Sequence, residues 1–154
     1  MFSESILKEI DGIKERYPDS RSALIPSLYI AQREYGWLSN EALRLVADYL
    51  NLPKATVRAT ASFYTLFKNN PTGRHLIQLC TNVSCMILGS EKLKDFLRNK
   101  YGLEHGGITA DGRFSLVIVE CIGACDGAPS MLVNVDSYDN LTEKKIDVIL
   151  GKYR

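Results

Sequence analysis

The sequence has 154 residues, enough to bury the core of one compact domain or of a domain with a helical extension. Hydrophobic residues make up 45% and charged residues 24%, and 19 Lys and Arg nearly balance 18 Asp and Glu, so a nucleic-acid or anionic-membrane partner is not favoured. No apolar run approaches the roughly 20 residues of a membrane span, and charges interrupt the first residues, so we expect a cytoplasmic chain without direct membrane insertion.

The first 70 residues carry the spacing and capping signals of helices. Their apolar stripes are Ile6, Ile10, Ile13 and Tyr17; Leu24, Leu28, Ala31 and Tyr35; Leu43, Val46 and Leu50; and Val57, Ala61 and Tyr64. Gly36 suits the end of the second helix, Ser39 or Asn40 can cap the third, and Pro53 suits the first position of the fourth. We therefore predict an N-terminal helical bundle over residues 1–70.

Residues 71–154 alternate between strand and helix signals. Strands are predicted at 75–79, at 114–119 and at 131–135, and the middle segment is apolar enough for a central strand covered on both faces. Between them runs a helix that ends at Gly102, and Thr142 caps a final helix. This order predicts an α/β protein whose second domain is a small mixed sheet flanked by helices.

All four cysteines lie in the second half, as two pairs that each follow a predicted strand. Cys80 and Cys85 are separated by four residues, and Cys121 and Cys125 by three. The stretch between the pairs can hold one helix and one strand. If the two strands are neighbours, both cysteine loops emerge at the same edge of the sheet. The cytoplasm keeps thiols reduced, which favours metal ligands over disulfides.

A [2Fe–2S] cluster suits two cysteine pairs, because each iron takes two terminal thiolates besides the bridging sulfides. Gly123 and Ala124 are small enough to let backbone N–H groups approach the sulfurs. A structural Cys₄ zinc site is the strongest rival, although zinc ribbons favour a C-x-x-C spacing that neither pair has. Redox disulfides and inert buried thiols are further alternatives. Spacing alone leaves all of these open.

Three segments resemble a known family, the thioredoxin-like [2Fe–2S] ferredoxins. Residues 73–85 resemble its first ligand loop and residues 119–129 its second, without departure at the four cysteines. Residues 61–67, Ala-Ser-Phe-Tyr-Thr-Leu-Phe, are similar to one branch of it, the small iron–sulfur subunit of the NADH dehydrogenase module of respiratory complex I. The resemblance covers nearly the whole chain and implies a thioredoxin-like domain behind the helical bundle.

The resemblance also implies a function. Cys80, Cys85, Cys121 and Cys125 would bind one [2Fe–2S] cluster, and the chain would be an electron-transfer subunit of NADH:quinone oxidoreductase with no catalytic residue of its own. Its partner would be a flavoprotein subunit that carries FMN, the NADH site and a [4Fe–4S] cluster. The complex would be peripheral to the inner membrane. Equivalent subunits of an NAD-reducing hydrogenase or an NAD-dependent formate dehydrogenase are the alternatives within this interpretation. A free-standing interaction or storage protein with no flavoprotein partner is an alternative of another class.

His75, His105, Glu120 and Asp126 are the other conspicuous polar residues of the second half. Neither histidine lies beside a plausible nucleophile, and the two carboxylates flank the second cysteine loop. We therefore expect structural or solvated roles for all four. No Gly-rich phosphate loop follows a strand, so the sequence does not indicate a nucleotide site on this chain.

Overall fold

A computed structural model describes residues 2–154 and divides the chain into two compact units. The first unit ends at Pro71 and the second comprises Thr72–Arg154. This division lies one residue from the predicted boundary between residues 70 and 71, where the sequence pattern changes. Each unit has its own hydrophobic core.

The first unit consists of helices: α1 (Glu4–Lys14), α2 (Leu24–Tyr35), α3 (Asn40–Leu50) and α4 (Lys54–Phe63). The capping signals of the sequence are used much as predicted. Gly36 ends α2 with a left-handed φ of 77°, and the Ser39 hydroxyl accepts a hydrogen bond from the Ala42 N–H at 3.1 Å to begin α3. Among the described residues, no helix is sufficiently long and hydrophobic to cross a bilayer.

The apolar stripes of these helices form the first core. Ile10, Leu28, Val46 and Val57 are fully buried, as expected from their helical spacing. The fourth helix differs in detail from its prediction. Pro53 occupies the cap position rather than the first helical position, and Tyr64 lies beyond the last helical residue with 38% of its surface exposed.

The second unit is built on a mixed four-stranded sheet. Its elements are β1 (His75–Cys80), α5 (Val83–Ile87), α6 (Ser90–Tyr101), β2 (Phe114–Val119), β3 (Met131–Val133), β4 (Asp136–Tyr138) and α7 (Glu143–Leu150), with one 3₁₀ turn at Cys125–Gly127. The strand order is β2-β1-β3-β4, with β1 and β2 parallel and the other pairs antiparallel. This arrangement confirms the predicted α/β class.

The prediction that β2 is the central strand is wrong, because β1 holds that place and β2 lies at the end of the strand order. The outer edge of β2 is nevertheless not left free. A preceding segment covers its outer edge through isolated bridges from His105 to Leu116 and from Ile108 to Ser115. The His105 ring Nδ1 also accepts the Ile118 N–H at 2.9 Å. An edge strand covered in this way is shielded from water much as a central strand is.

The predicted strand over residues 131–135 is instead the first half of a β-hairpin. It stops at Val133, where Asn134 adopts a left-handed φ of 57° and Val135 stands 90% exposed in the turn. The Asn134 side chain accepts a hydrogen bond from the Leu76 N–H at 3.0 Å, which ties the turn to β1. The short strand β4 that follows had no signal of its own in the sequence.

The helices of the second unit begin and end close to the predicted residues. Gly102 ends α6 with a left-handed φ of 65°. The Thr142 hydroxyl accepts the Lys145 N–H at 3.2 Å at the start of α7, while Leu141 and Ile146 are both buried beside it.

Candidate metal centre

The parallel pairing of β1 and β2 determines where the two cysteine segments meet. Cys80 is the register partner of Val119, so both strands end at the same edge of the sheet. A hydrogen bond from the Thr81 N–H to the Val119 carbonyl, at 3.2 Å, continues the pairing beyond the last strand residue. Cys121 follows Val119 by two residues. The sheet therefore directs both segments to one end, as the sequence predicted for neighbouring strands.

The first pair is buried and is held by a strand end and a short helix. Cys80 and Cys85 are 2% and 1% exposed. Residues 81–84 were treated as a loop in the sequence, whereas the structure places Cys85 within helix α5. The Asn82 side chain begins that helix by accepting the Val83 N–H at 2.8 Å. Five residues are too few to show a helical stripe, which is why the sequence pattern did not reveal this element.

The second pair is exposed to solvent and sits on a tight loop. Cys121 and Cys125 are both exposed, and Cys125 begins the 3₁₀ turn. Gly123 adopts a left-handed φ of 80° between them, a conformation that glycine adopts without strain. Its backbone N–H donates to the Cys121 Sγ at 3.3 Å. A backbone donor at Gly123 was expected from the sequence, and the geometry of this hydrogen bond agrees with that expectation.

Interactions between the two segments bring the pairs together. Burial has the largest effect on the Cys80 thiol and raises its pKa. The Asn82 N–H lowers this pKa, and the neighbouring Cys85 thiol raises it. The Ile122 N–H, which belongs to the second segment, also lowers the pKa and so favours the thiolate. The four thiols of this structure stand for the thiolates that would bind a metal. The Cys80 thiol also donates a hydrogen bond to the Glu120 carbonyl of the second segment at 3.5 Å, which ties the two segments together.

The electrostatics of Cys125 show the same convergence. Hydrogen bonding to Cys121 and then repulsion by it raise the pKa of the Cys125 thiol, and Cys85 of the buried pair adds a smaller repulsion. The Ser84 hydroxyl, beside Cys85 on α5, donates to the Cys125 sulfur and opposes the rise. Both effects link Cys125 to the segment that carries the buried pair.

Two serines that sequence reasoning did not single out belong to this site. Ser84 directly precedes Cys85, so its proximity to the cysteines could have been noticed. Ser130 lies just before β3, and its hydroxyl oxygen is 3.6 Å from the Cys85 Sγ. Nothing in the spacing of the sequence links Ser130 to Cys85, because β3 joins the site only through its antiparallel pairing with β1.

The donor set fits a [2Fe–2S] cluster. The cysteines contact one another within each pair, Cys80 with Cys85 and Cys121 with Cys125, and two sulfurs per iron is the stoichiometry that the cluster needs. Among residues 2–154 no three or more His, Cys, Asp and Glu side chains are grouped in a way that would hold one metal ion. The Gly123 N–H donates to the Cys121 Sγ, and the Ser130 hydroxyl lies within hydrogen-bond distance of the Cys85 Sγ, as is typical of iron–sulfur sites.

The two histidines have structural roles in the second unit. The His75 ring lies within hydrogen-bond distance of the Arg154 carbonyl (3.2 Å) and of the Asn134 side chain (3.1 Å). His105 binds the edge of β2 through Ile118. The expectation of structural roles for both side chains agrees with these contacts.

The chain belongs to the thioredoxin-like [2Fe–2S] ferredoxin family, whose model matches residues 10–154. It is similar to an NADH-quinone oxidoreductase subunit of Rhizobium meliloti (strain 1021), with 46% identity over 96% of this chain and 88% of the relative. It is also similar to an NADH-quinone oxidoreductase subunit of Rickettsia bellii (strain RML369-C), with 37% identity over 99% of this chain and 93% of the relative. The resemblance stated from the sequence is thereby confirmed.

A solved structure has the same fold over most of the chain. It is an NAD⁺-reducing [NiFe]-hydrogenase in the air-oxidized state, with a TM-score of 0.72 and 29% identity over 84% of this chain. The present chain spans 22% of the length of that hydrogenase chain. Family and neighbour together confirm the predicted thioredoxin-like fold, and the family model supports an iron–sulfur cluster.

Proposed function

We propose that this chain is an electron-transfer subunit of NADH:quinone oxidoreductase. In this proposal Cys80, Cys85, Cys121 and Cys125 bind one [2Fe–2S] cluster, with one cysteine pair on each iron. The convergence of the two pairs at one end of the parallel strands β1 and β2 is the observation that carries the assignment. The Rhizobium and Rickettsia relatives, both named as subunits of NADH-quinone oxidoreductase, support the host complex.

The cluster, when bound, accepts and returns one electron at a time. The residues around it supply three conditions for that chemistry. The buried pair, Cys80 and Cys85, keeps water away from one side of the site. The N–H of Gly123 and the N–H of Ile122 stabilise negative charge on sulfur. The exposed pair, Cys121 and Cys125, leaves the other side open, so that an electron can pass to a protein docked there.

The electron donor and acceptor in this proposal is the FMN of a flavoprotein subunit, which would also hold the NADH site and a [4Fe–4S] cluster. Hydride chemistry would occur at that flavin, and this chain would exchange one electron at a time with it. The assembled complex would lie peripheral to the inner membrane.

A second host complex has a specific observation in its favour. The hydrogenase neighbour aligns with most of this chain, so an equivalent subunit of an NAD-reducing hydrogenase is the alternative. Affinity purification of the tagged chain from its native cells distinguishes the two. Recovery of NADH oxidation coupled to quinone reduction supports the first proposal, and recovery of hydrogen-dependent NAD⁺ reduction supports the second.

The ligand assignment is tested on the purified chain. We expect about two irons and two sulfides per chain, as one [2Fe–2S] cluster requires, and a rhombic paramagnetic signal after one-electron reduction. Replacement of any of the four cysteines by serine should abolish or destabilise the bound cluster. Asp126→Asn is the matched control, because Asp126 is exposed beside Cys125. This variant is expected to keep its full iron content.

Three outcomes would count against the assignment. A colourless protein with one zinc per chain would establish the structural Cys₄ zinc site instead. Unchanged iron content in Cys121→Ser would remove that residue from the ligand set. Loss of iron in Asp126→Asn would show that substitutions in this loop act through folding rather than ligation.

A further inference from the structure

Ser130 contacts both cysteines of the buried pair. It is fully buried and lies between the 3₁₀ turn and β3. Its carbonyl accepts the Cys80 N–H at 3.2 Å, while its hydroxyl oxygen lies 3.6 Å from the Cys85 Sγ. Sulfur is larger than oxygen, so 3.6 Å is a hydrogen-bonding distance for this pair. The backbone of Ser130 thus positions one cysteine and its side chain contacts the other.

The direction of the side-chain hydrogen bond follows from the chemistry of the ligand. Either group can donate when Cys85 is a thiol. A cysteine bound to iron is a thiolate with no proton, so the Ser130 hydroxyl must then be the donor. In a buried site this bond is not weakened by competing water, which makes its electrostatic effect stronger than at the surface.

We propose that Ser130 raises the reduction potential of the cluster by donating a hydrogen bond to the Cys85 thiolate. Reduction adds negative charge to the site, and a hydrogen-bond donor at a ligand sulfur stabilises the reduced state more than the oxidised state. The inference rests on the ligand assignment proposed above. It adds that Ser130 acts on the potential through Cys85 without itself binding iron.

Ser130→Ala removes this donor while retaining the backbone carbonyl that accepts the Cys80 N–H. Ser115→Ala is a matched control, because Ser115 lies 3% exposed on β2 and its hydroxyl has no hydrogen-bond partner among the described residues. The two variants therefore remove the same atom from similarly buried positions. Ser130→Thr keeps a hydroxyl at the site and tests whether the donor itself is responsible.

The measurement is a redox titration of the full-length, cluster-loaded chain, followed by the paramagnetic signal of the reduced form. We expect Ser130→Ala to be about tenfold harder to reduce, a potential lower by about 59 mV for one electron. Ser115→Ala should keep the wild-type potential, and Ser130→Thr should lie closer to wild type than Ser130→Ala does.

An unchanged potential in a fully loaded Ser130→Ala protein would overturn the proposal, as would an equal fall in Ser115→Ala. If Ser130→Ala does not retain iron, the reduction potential of Ser130→Thr decides whether the hydroxyl acts on the cluster. A loaded threonine variant at the wild-type potential supports the role of the hydroxyl, and failure of that variant to load would count against it. Absence of two irons from the wild-type chain would instead refute the proposed function, so the two failures are distinguishable.

Discussion

Gly127 lies two residues beyond Cys125, at a point where the chain has no room for a side chain. A Cβ added there would lie 2.6 Å from the Asp139 Cβ and 2.8 Å from its Cγ. These atoms cannot move independently, because the Asn140 N–H donates to the Gly127 carbonyl at 2.5 Å and the Leu141 N–H donates to the Pro129 carbonyl at 2.9 Å. Gly127→Ala must therefore displace the loop after β4 or the turn that carries Cys125.

Overpacking of a tight site costs about 1–3 kcal/mol, and a weakened hydrogen bond adds about 1 kcal/mol. We expect Gly127→Ala to lower the free energy of unfolding of the second unit by about 2–4 kcal/mol. For a unit of this size, at about 4–8 °C per kcal/mol, that corresponds to a fall of about 8 °C or more in the thermal midpoint. The assay is thermal loss of the visible absorption of the loaded protein, with iron release into a chelator as a second readout.

Gly12→Ala is the control with the opposite expected sign. Gly12 lies inside α1, and an added Cβ would meet nothing within 4 Å outside its own helix. Alanine is favoured over glycine inside a helix by about 0.5–1 kcal/mol, so this variant should be slightly more stable than wild type. A Gly127→Ala protein as stable as wild type would refute the packing argument, and so would destabilisation by Gly12→Ala.

Two further predictions concern the turn residue Asn134 and the partly buried Tyr101. Asn134→Gly should destabilise the chain by about 1–2 kcal/mol in urea unfolding, because the Leu76 N–H loses its acceptor. Asn51→Gly is the control and should be neutral, because Asn51 has a similar left-handed φ of 53° that glycine also adopts. Equal effects of the two substitutions would contradict this reasoning. Burial, followed by the hydrogen bond to Asp147, raises the pKa of Tyr101 to about 12. The stabilisation that comes with this raised pKa of Tyr101 is therefore complete below the unfolded pKa near 10, and it is lost as pH rises towards about 12. Tyr101→Phe should flatten the fall in stability over that interval, and an unchanged pH profile would exclude this role.

The sequence was most informative where one residue determines a local conformation. Gly36, Ser39, Gly102 and Thr142 could be assigned to helix ends because a left-handed backbone or a side-chain acceptor is a local requirement. The positions of the cysteine pairs after strands were also local signals, and they sufficed to expect that the pairs would meet at one edge.

The features that sequence reasoning missed depend on contacts between distant segments. The sequence of β2 is typical of a central strand, yet β2 lies at the end of the strand order, and its outer edge is bridged by a preceding segment at His105 and Ile108 rather than by a further strand. The hairpin turn at Asn134 and Val135 lacks the usual Asn-Gly signal, so a single strand was expected there. Ser130 reaches Cys85 only because β3 pairs with β1, a pairing that spacing along the chain does not reveal.

The parallel pairing of β1 and β2 also has a consequence for how the cofactor and the fold depend on each other. A parallel pair joined through α5 and α6 forms only after distant parts of the chain have come together, so the unfolded chain does not gather both cysteine pairs. Under the proposed ligation the cluster would then bind the native second unit far more tightly than the unfolded one. By linkage it would stabilise the second unit selectively, and removal of iron should lower the melting temperature of the sheet while the helices of the first unit keep theirs.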